Sequence, residues 1–444
     1  MRRISLGVVS QTPLIRLLSG SHKEIVRLNE LRKDEYRYTV GGVAQMVHAQ
    51  LEELDKENLI KKAIWFSLSP NSPKNIIINK RVKTVNITLE EESSKAYANF
   101  KEEVWRNLHN LGTKEFTKHE YLGYLRYNSR LARTILEYPA DISLFEFHDF
   151  QQLLLGSMIG PSAPSILRWH IPFIPETLNK KIRKFILNGI EGNDAVIVST
   201  KRDLEGLIRA GFKGHAYQLY PNIDNRSWQK ATRRSLEEFS GKYGIKPDDF
   251  LVLNVARMDG MKSQNDLIKA LSLLKEDSRM RLMLVGNGSF STELKGLNLP
   301  KGKLWRRKLE MLTKRLGLTD RVIFTGYMGP ELLRAAYTRA DLFVLPSRVE
   351  GFGLSAVEAW LYDTPIMVSN GAGVSELVME GLNGYTFRSG DFREMASKMH
   401  KLYGNPKLLD EISRNAEGMS RACYTRNTVP ILKAIYESTL ENFG

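Results

Sequence analysis

Two doubly wound α/β halves are what this sequence predicts, and three observations predict them. In the second half, apolar runs of four or five residues alternate with helical stretches, the pattern of a parallel sheet covered on both faces. The first half repeats that theme less regularly. A length of 444 residues suits two or three domains that each bury a core.

In chain order, the first half reads as strands at 4–9, 63–68, 142–147, 165–168 and 195–199, with helices around 44–54, 122–136 and 178–190. Segments 14–38 and 70–118 do not fit the alternation and read as insertions rich in charge and turns. Tyr220-Pro-Asn-Ile-Asp224 ends a strand in turn residues ahead of a polar helix, which places the boundary there. Beyond it, strands at 251–255, 282–285, 322–324, 342–345 and 366–368 alternate with helices at 264–274, 304–316, 331–337, 354–361 and 374–379. The domains expected are 1–222, 223–424 and a final helix, 425–444. Ligands of such halves sit in a cleft at the carboxyl ends of the strands.

Composition narrows the class. Apolar content of 42% and charged content of 26% are ordinary for a soluble globular protein. The lone Cys423 excludes an intramolecular disulfide and a cysteine zinc cluster. No eighteen-residue apolar run exists, and the start, Met1-Arg-Arg-Ile-Ser-Leu-Gly-Val-Val-Ser10, is broken by Gln11, Thr12 and Pro13, so it reads as a first strand. A cytoplasmic location follows as the expectation. The net charge of +15 admits nucleic acid, anionic membranes or anionic small substrates. No nucleic-acid-binding signature accompanies it. Basic residues concentrate at 179–184 and 301–315. The second stretch has the pattern of a basic amphipathic helix, which suits a membrane surface or a solvated face over an apolar stripe.

Glu350-Gly-Phe-Gly-Leu-Ser-Ala-Val-Glu358 carries the most chemical information. A buried strand closes at Pro346, Gly351 and Gly353 make a tight turn, and a helix opens at Leu354. Free N–H groups at such a helix start attract phosphate. Carboxylates beside an anion site repel phosphate, and accept hydrogen bonds from sugar hydroxyls instead. A nucleotide-sugar, a diphosphate between two hydroxyl-rich rings, fits that layout. Arg257 and Lys262, in Asn254-Val-Ala-Arg-Met-Asp-Gly-Met-Lys262, leave another buried strand and open a helix. Two fixed cations there neutralise charge gathering on a departing diphosphate.

From Arg321 to Phe387 the chain resembles the family-4 glycosyltransferases of the GT-B fold. The resemblance runs through Val-Ile-Phe-Thr-Gly-Tyr, Ala-Asp-Leu-Phe-Val-Leu-Pro-Ser, the Glu pair, Thr-Pro-Ile-Met-Val-Ser-Asn and Asn-Gly-Tyr-Thr-Phe. It covers nearly all of residues 195–425. Gly-Gly-Val-Ala-Gln-Met-Val-His, His-Asp-Phe-Gln and Arg-Trp-His-Ile in the first half bring it closest to the trehalose glycosyltransferring synthases.

The resemblance implies a retaining transferase that moves a hexose, glucose first, from a donor such as UDP- or ADP-glucose to a small sugar. It implies two Rossmann-like domains, the first binding acceptor and the second donor, with the last helix crossing back to the first. Arg257 and Lys262 would grip the diphosphate, Glu350 a donor-sugar hydroxyl and Glu358 a ribose hydroxyl. His170 would lie near the donor sugar and β-phosphate, and Gly42 beside the donor phosphates and acceptor. Gly286, Tyr327, Met328, Phe352, Gly353 and Leu354 complete the donor set, and His148, Asp149 and Gln151 the acceptor set. The catalytic set is Glu350, His170, Arg257 and Lys262. Ser263 stands where the family usually has Gly. With no Asp-x-Asp motif, no metal or other cofactor is expected. Nucleotide-sugar and small sugar are the expected partners and nucleic acid is not, while a peripheral membrane contact and a homodimer stay open. Two rivals remain: transfer to a lipid-linked or polysaccharide acceptor at a membrane, and an inactive nucleotide-sugar-binding scaffold. Intact Glu350, Glu358, Arg257 and Lys262 speak against the scaffold.

Overall fold

The computed structural model describes residues 3–18, 24–39, 41–112, 115–139, 141–288 and 301–443. It divides into two compact units, Met1–Ile223 with Thr425–Gly444, and Asp224–Tyr424.

The first unit runs β1 (Ile4–Val9), β2 (Ile15–Leu17), β3 (Ile25–Arg27), β4 (Tyr36–Tyr38), α1 (Gly42–Lys56), β5 (Ile60–Leu68), β6 (Asn75–Ile77), β7 (Val82–Ile87), α2 (Glu91–Leu108) and α3 (Lys118–Leu136). It continues with β8 (Leu144–His148), α4 (Leu155–Ile159), β9 (Ser165–Trp169), α5 (Lys180–Glu191), β10 (Ala195–Val198), α6 (Lys201–Arg209) and β11 (His215–Gln218). Nine strands form one sheet in the order β11-β10-β9-β8-β1-β5-β7-β6-β3. Its pairs are parallel except β6 with β7. All six residues of β1 are buried, as a central parallel strand covered on both faces requires. From β1 the chain builds outward through β5 and β7, then returns to add β8 to β11 on the other side. The order therefore reverses between β1 and β8, and that is where open α/β sheets leave a ligand crevice.

The stretch 70–118, expected as an insertion, supplies β6, β7 and α2. In β7, Val82, Val85 and Ile87 are buried in the core. Their signal is masked because Lys83, Thr84 and Asn86 interrupt it. Of the stretch 14–38, β3 joins the edge of the main sheet while β2 and β4 form a separate antiparallel pair.

The second unit contains α7 (Arg233–Tyr243), β12 (Phe250–Val255), α8 (Gln264–Ser272), β13 (Met280–Val285), α9 (Lys301–Arg315), β14 (Val322–Gly326), α10 (Pro330–Arg339) and β15 (Leu342–Leu345). After these come α11 (Leu354–Trp360), β16 (Ile366–Ser369), β17 (Gly384–Phe387), α12 (Phe392–Tyr403) and α13 (Pro406–Ser420). The six strands are all parallel, in the order β14-β13-β12-β15-β16-β17. Here the reversal lies between β12 and β15.

The helix expected at 374–379 is a short 3₁₀ segment, Gly373–Leu377. The amides of Gly373 and Val374 bond to the carbonyls of Glu350 and Phe352 at 3.2 and 2.8 Å. Those cross-links hold the segment against the Glu350 turn and leave no free ladder for an α-helix. The last helix, α14 (Thr425–Phe443), belongs to the first unit, where Val429, Leu432, Ile435 and Tyr436 join the core with Met46 and Leu54 of α1. Among the described residues no helix is long and apolar enough to cross a membrane.

Candidate active site

In the second unit, the reversal point between β12 and β15 gathers the charged residues. Arg257 and Lys262 follow β12, and Glu350 and Glu358 follow β15. Gly353 sits at φ +103° ahead of α11, and a Cβ there would lie 2.6 Å from Leu345, so the turn requires glycine. Lys262 Nζ donates to Glu350 Oε2, and Ser347 Oγ donates to the same oxygen at 3.3 Å. The side chains of Lys262 and Glu350 are 14% and 18% exposed, so the pair is mostly withdrawn from water but open on one side. Burial pushes the Glu350 carboxyl up, but Lys262, Arg257 and the Ser347 hydroxyl outweigh it and hold the group below the usual carboxylate range. Glu350 is thus a fixed anion facing two cations.

Glu358 behaves in the opposite way. Burial pushes its carboxyl up to about 7, against the lowering effect of the Tyr337 hydroxyl. Tyr337, fully buried and stacked on Tyr362 at 5.4 Å, donates to Glu358 Oε2 at 2.6 Å. Helix α11 is only seven residues long, so its end contributes little beside two cations. Arg257 is exposed at the strand exit. Close by, the Gly286 amide bonds to the Gly326 carbonyl at 2.9 Å, and the Met258 amide to the Asn287 carbonyl at 2.8 Å. These bonds tie the exits of β12, β13 and β14 together. After β14, Tyr327 is half-exposed and Met328 buried. Phe352 is buried, and Gly353 and Leu354 are partly exposed.

In the first unit, β8 and β9 deliver His148, Asp149 and His170 to one place. Gly42 opens α1, and a side chain begun there would meet no other part of the fold within 4 Å. His148 Nδ1 and His170 Nε2 share a hydrogen bond of 3.0 Å, their rings nearly parallel at 5.3 Å. Asp149 accepts the His170 amide through Oδ1 at 2.7 Å. It does so from φ +63°, ψ −178°, a conformation that costs on the order of 1–3 kcal/mol in a non-glycine residue and collects at functional sites. Burial raises the Asp149 carboxyl to about 7, against the lowering pull of the His170 amide. Gln151 is partly exposed and lends its carbonyl to Asn128 at 3.1 Å. His148, expected to face the acceptor, is turned inward with its side chain 1% exposed. Asp149, Gln151 and His170 remain partly exposed.

Behind these residues lies a group that the motifs did not single out. Glu146, fully buried, accepts from Gln50 Nε2 at 2.8 Å and from the Tyr436 hydroxyl of α14. Arg168 Nη1 stands 3.3 Å from Glu146 and also donates to Gln50 Oε1. Burial pushes the Glu146 carboxyl up, but the neighbouring His148 ring, the Arg168 guanidinium and hydrogen bonds from Tyr436 and Gln50 keep it below the usual range. Burial lowers His148 to about 4, and lowers His170 well below the usual histidine value with help from Arg168. A sequence signal existed: a Glu in Leu-Phe-Glu-Phe and an Arg in Ile-Leu-Arg-Trp are charges inside apolar strand runs, and buried charges persist only when paired.

Among the described residues no group of three His, Cys, Asp or Glu side chains is close enough to hold a metal ion. Residues 235–419 match the family described as glycosyl transferases group 1. Mannosylfructose-phosphate synthase of Agrobacterium fabrum is 30% identical over 237 residues, covering 52% of this chain and 50% of that protein. The chain thus spans about half the length of that relative. Among solved structures, the trehalose-6-phosphate synthase OtsA superposes with a TM-score of 0.77 at 18% identity, covering 98% of both chains. Anabaena HepE in complex with UDP and glucose superposes with a TM-score of 0.69 at 18% identity, covering 99% of this chain and 100% of that one. The chain therefore has the GT-B fold, and its residues 235–419 match the glycosyl transferases group 1.

Proposed function

We propose that this protein is a retaining glycosyltransferase that moves a hexose, glucose first, from a nucleoside-diphosphate sugar to a small sugar acceptor. The observation that carries the reading is the set of two cations and two carboxylates at the β12/β15 reversal point of the second unit. A diphosphate competes with Glu350 for the Lys262 ammonium and takes Arg257 as its second counter-charge. Glu350, freed from Lys262, accepts a hydroxyl of the donor hexose, and Glu358 accepts a ribose hydroxyl beside Tyr337. As the sugar–phosphate bond breaks, the two cations compensate the charge growing on the leaving group, and no metal is required for that step. No carboxylate is assigned as a nucleophile. The acceptor attacks from the face the phosphate leaves, and the phosphate takes its proton. Asp149 and Gln151 of the first unit offer carboxylate and amide groups to a polyhydroxylated acceptor, and His170 offers an imidazole to the donor sugar.

The relatives support this reading, since mannosylfructose-phosphate and trehalose-6-phosphate synthases are named for joining two sugars. The test is a panel of UDP- and ADP-hexoses against glucose, other free hexoses and hexose phosphates, in EDTA, with the product read by NMR. An α-linked disaccharide formed without added metal is expected. A β-linked product, or activity that EDTA abolishes and Mg²⁺ or Mn²⁺ restores, counts against it.

One observation favours a second reading, transfer at a membrane surface. One face of α9 exposes Leu304 and Met311, 54% and 65% exposed, among Lys303, Arg307, Lys308, Lys314 and Arg315. Such a face attracts anionic lipid. Salt-sensitive sedimentation with phosphatidylglycerol vesicles, joined to transfer onto lipid extracts but never onto free sugars, would favour that reading over the first.

A further inference from the structure

The structure assigns to Glu146 a positioning role: it fixes the proton positions of the His148–His170 pair, so that His170 meets the substrates as a neutral imidazole with its Nδ1 unprotonated. The assignment rests on the reading that His170 serves the transfer.

Four distances carry it. Glu146 Oε1 stands 3.7 Å from His148 Nε2 and 3.3 Å from Arg168 Nη1. Oε2 accepts from Gln50 at 2.8 Å and from Tyr436, so that oxygen is saturated and cannot swing toward the ring. His148 Nδ1 lies 3.0 Å from His170 Nε2. Glu146, His148 and Arg168 are all 2% exposed or less, so no water shell screens their fields.

Glu146 and Arg168 cancel as a charge pair, which leaves both imidazoles neutral beside the Arg168 guanidinium. Two neutral imidazoles can share their contact in only two ways. If His148 is protonated at Nδ1, it donates to His170 and turns the Nε2 lone pair onto the Glu146 carboxylate, which is repulsive. If His148 is protonated at Nε2, the N–H faces the carboxylate and Nδ1 accepts from His170 Nε2–H. The second arrangement is the favourable one. It commits Nε2 of His170 to His148 and leaves Nδ1 as an acceptor suited to a substrate hydroxyl. The Tyr436 hydroxyl makes α14 a participant, because it holds the carboxylate that sets the pair.

The test uses the whole chain labelled with ¹⁵N-histidine. Long-range ring spectra give the protonation site of each of the eight histidines, and His148→Gln and His170→Gln assign the two signals. Nε2–H on both rings is expected. Glu146→Gln removes the negative charge that favours Nε2–H while its amide oxygen can still accept from Arg168, so the Nδ1–H form should appear on both rings, with kcat lower by about 10²-fold and KM for both substrates nearly unchanged. Tyr436→Phe, which keeps the carboxylate, should retain the wild-type tautomers. His148 protonated at Nδ1 in the wild-type chain overturns the assignment, and that reading does not depend on the folding of Glu146→Gln. Tautomers that switch in Glu146→Gln while kcat stays unchanged would remove His170 from the reaction and leave the proton lock intact.

Discussion

At Ser263 the chemistry of a single backbone position is exposed. The residue lies at φ +50°, ψ 34°, the left-handed region, and its buried hydroxyl has no hydrogen-bond partner among the described residues. Both features explain why glycine suits this place between Lys262 and α8. Ser263→Gly should raise stability by about 1 kcal/mol, read as a later urea midpoint at unchanged m-value, since left-handed strain of roughly 1–2 kcal/mol exceeds the added chain entropy. Lys262 should keep its place and turnover its value. At the cations themselves, Arg257→Ala and Lys262→Ala should each lower kcat by about 10²–10³-fold, the cost of removing one preorganised charge stabiliser. Wild-type turnover in both would remove them from the mechanism. Glu358 gives a pH prediction. Its carboxyl rises to about 7 in the folded chain because burial disfavours the charged form. Its contribution to stability is therefore complete below the ordinary carboxylate range and is lost as pH rises through about 7. A ribose hydroxyl donating to the carboxylate reverses that preference, so nucleotide affinity should strengthen as pH rises through 7. Titration calorimetry at pH 6 and pH 8 checks it, and Glu358→Gln should flatten the difference.

Elements differed in how plainly the sequence announced them. The central strands of both sheets were legible because continuous apolar runs have few other uses. The turn from Glu350 to Glu358 was legible because two glycines between a buried strand and a helical pattern mark a tight turn, where Gly353 takes φ +103°. Strand β7 was hidden, since polar residues interrupting a paired strand look like a loop, and the 3₁₀ segment after β16 was not legible because its partners, Glu350 and Phe352, lie in the preceding turn. The inward turn of His148 was not legible either. It depends on Glu146, Gln50, Arg168 and Tyr436, which only tertiary structure brings together. Helix α14 supplies a prediction at this scale. It buries Val429, Leu432, Ile435 and Tyr436 in the first unit, so deleting 425–444 should destabilise that unit and spare the second. In calorimetry of the truncated chain, the transition that shifts upward with added nucleotide should stay in place while the other moves down or vanishes.

For the whole molecule, the excess of basic residues is not concentrated at the candidate site, where Lys262 is already matched by Glu350. It colours the surface instead, and α9 carries a dense exposed run of it. Donor affinity should therefore respond to salt less steeply than adsorption to anionic vesicles does, since partly buried pairs are screened less than exposed ones. The two units also differ in how they use chain order. The second is contiguous, Asp224–Tyr424, while the first is closed by a helix that follows it. On the ribosome this inverts the usual sequence of events in which the N-terminal domain folds first. The nine-stranded sheet must wait with an open seam beside α1 while the second unit is made and folded. Only when Tyr436 has left the exit tunnel can Glu146 receive its hydroxyl partner. A nascent chain therefore completes the β12/β15 charge cluster before it completes the imidazole pair, and on the proposed function a truncated product should hold donor without transferring its sugar.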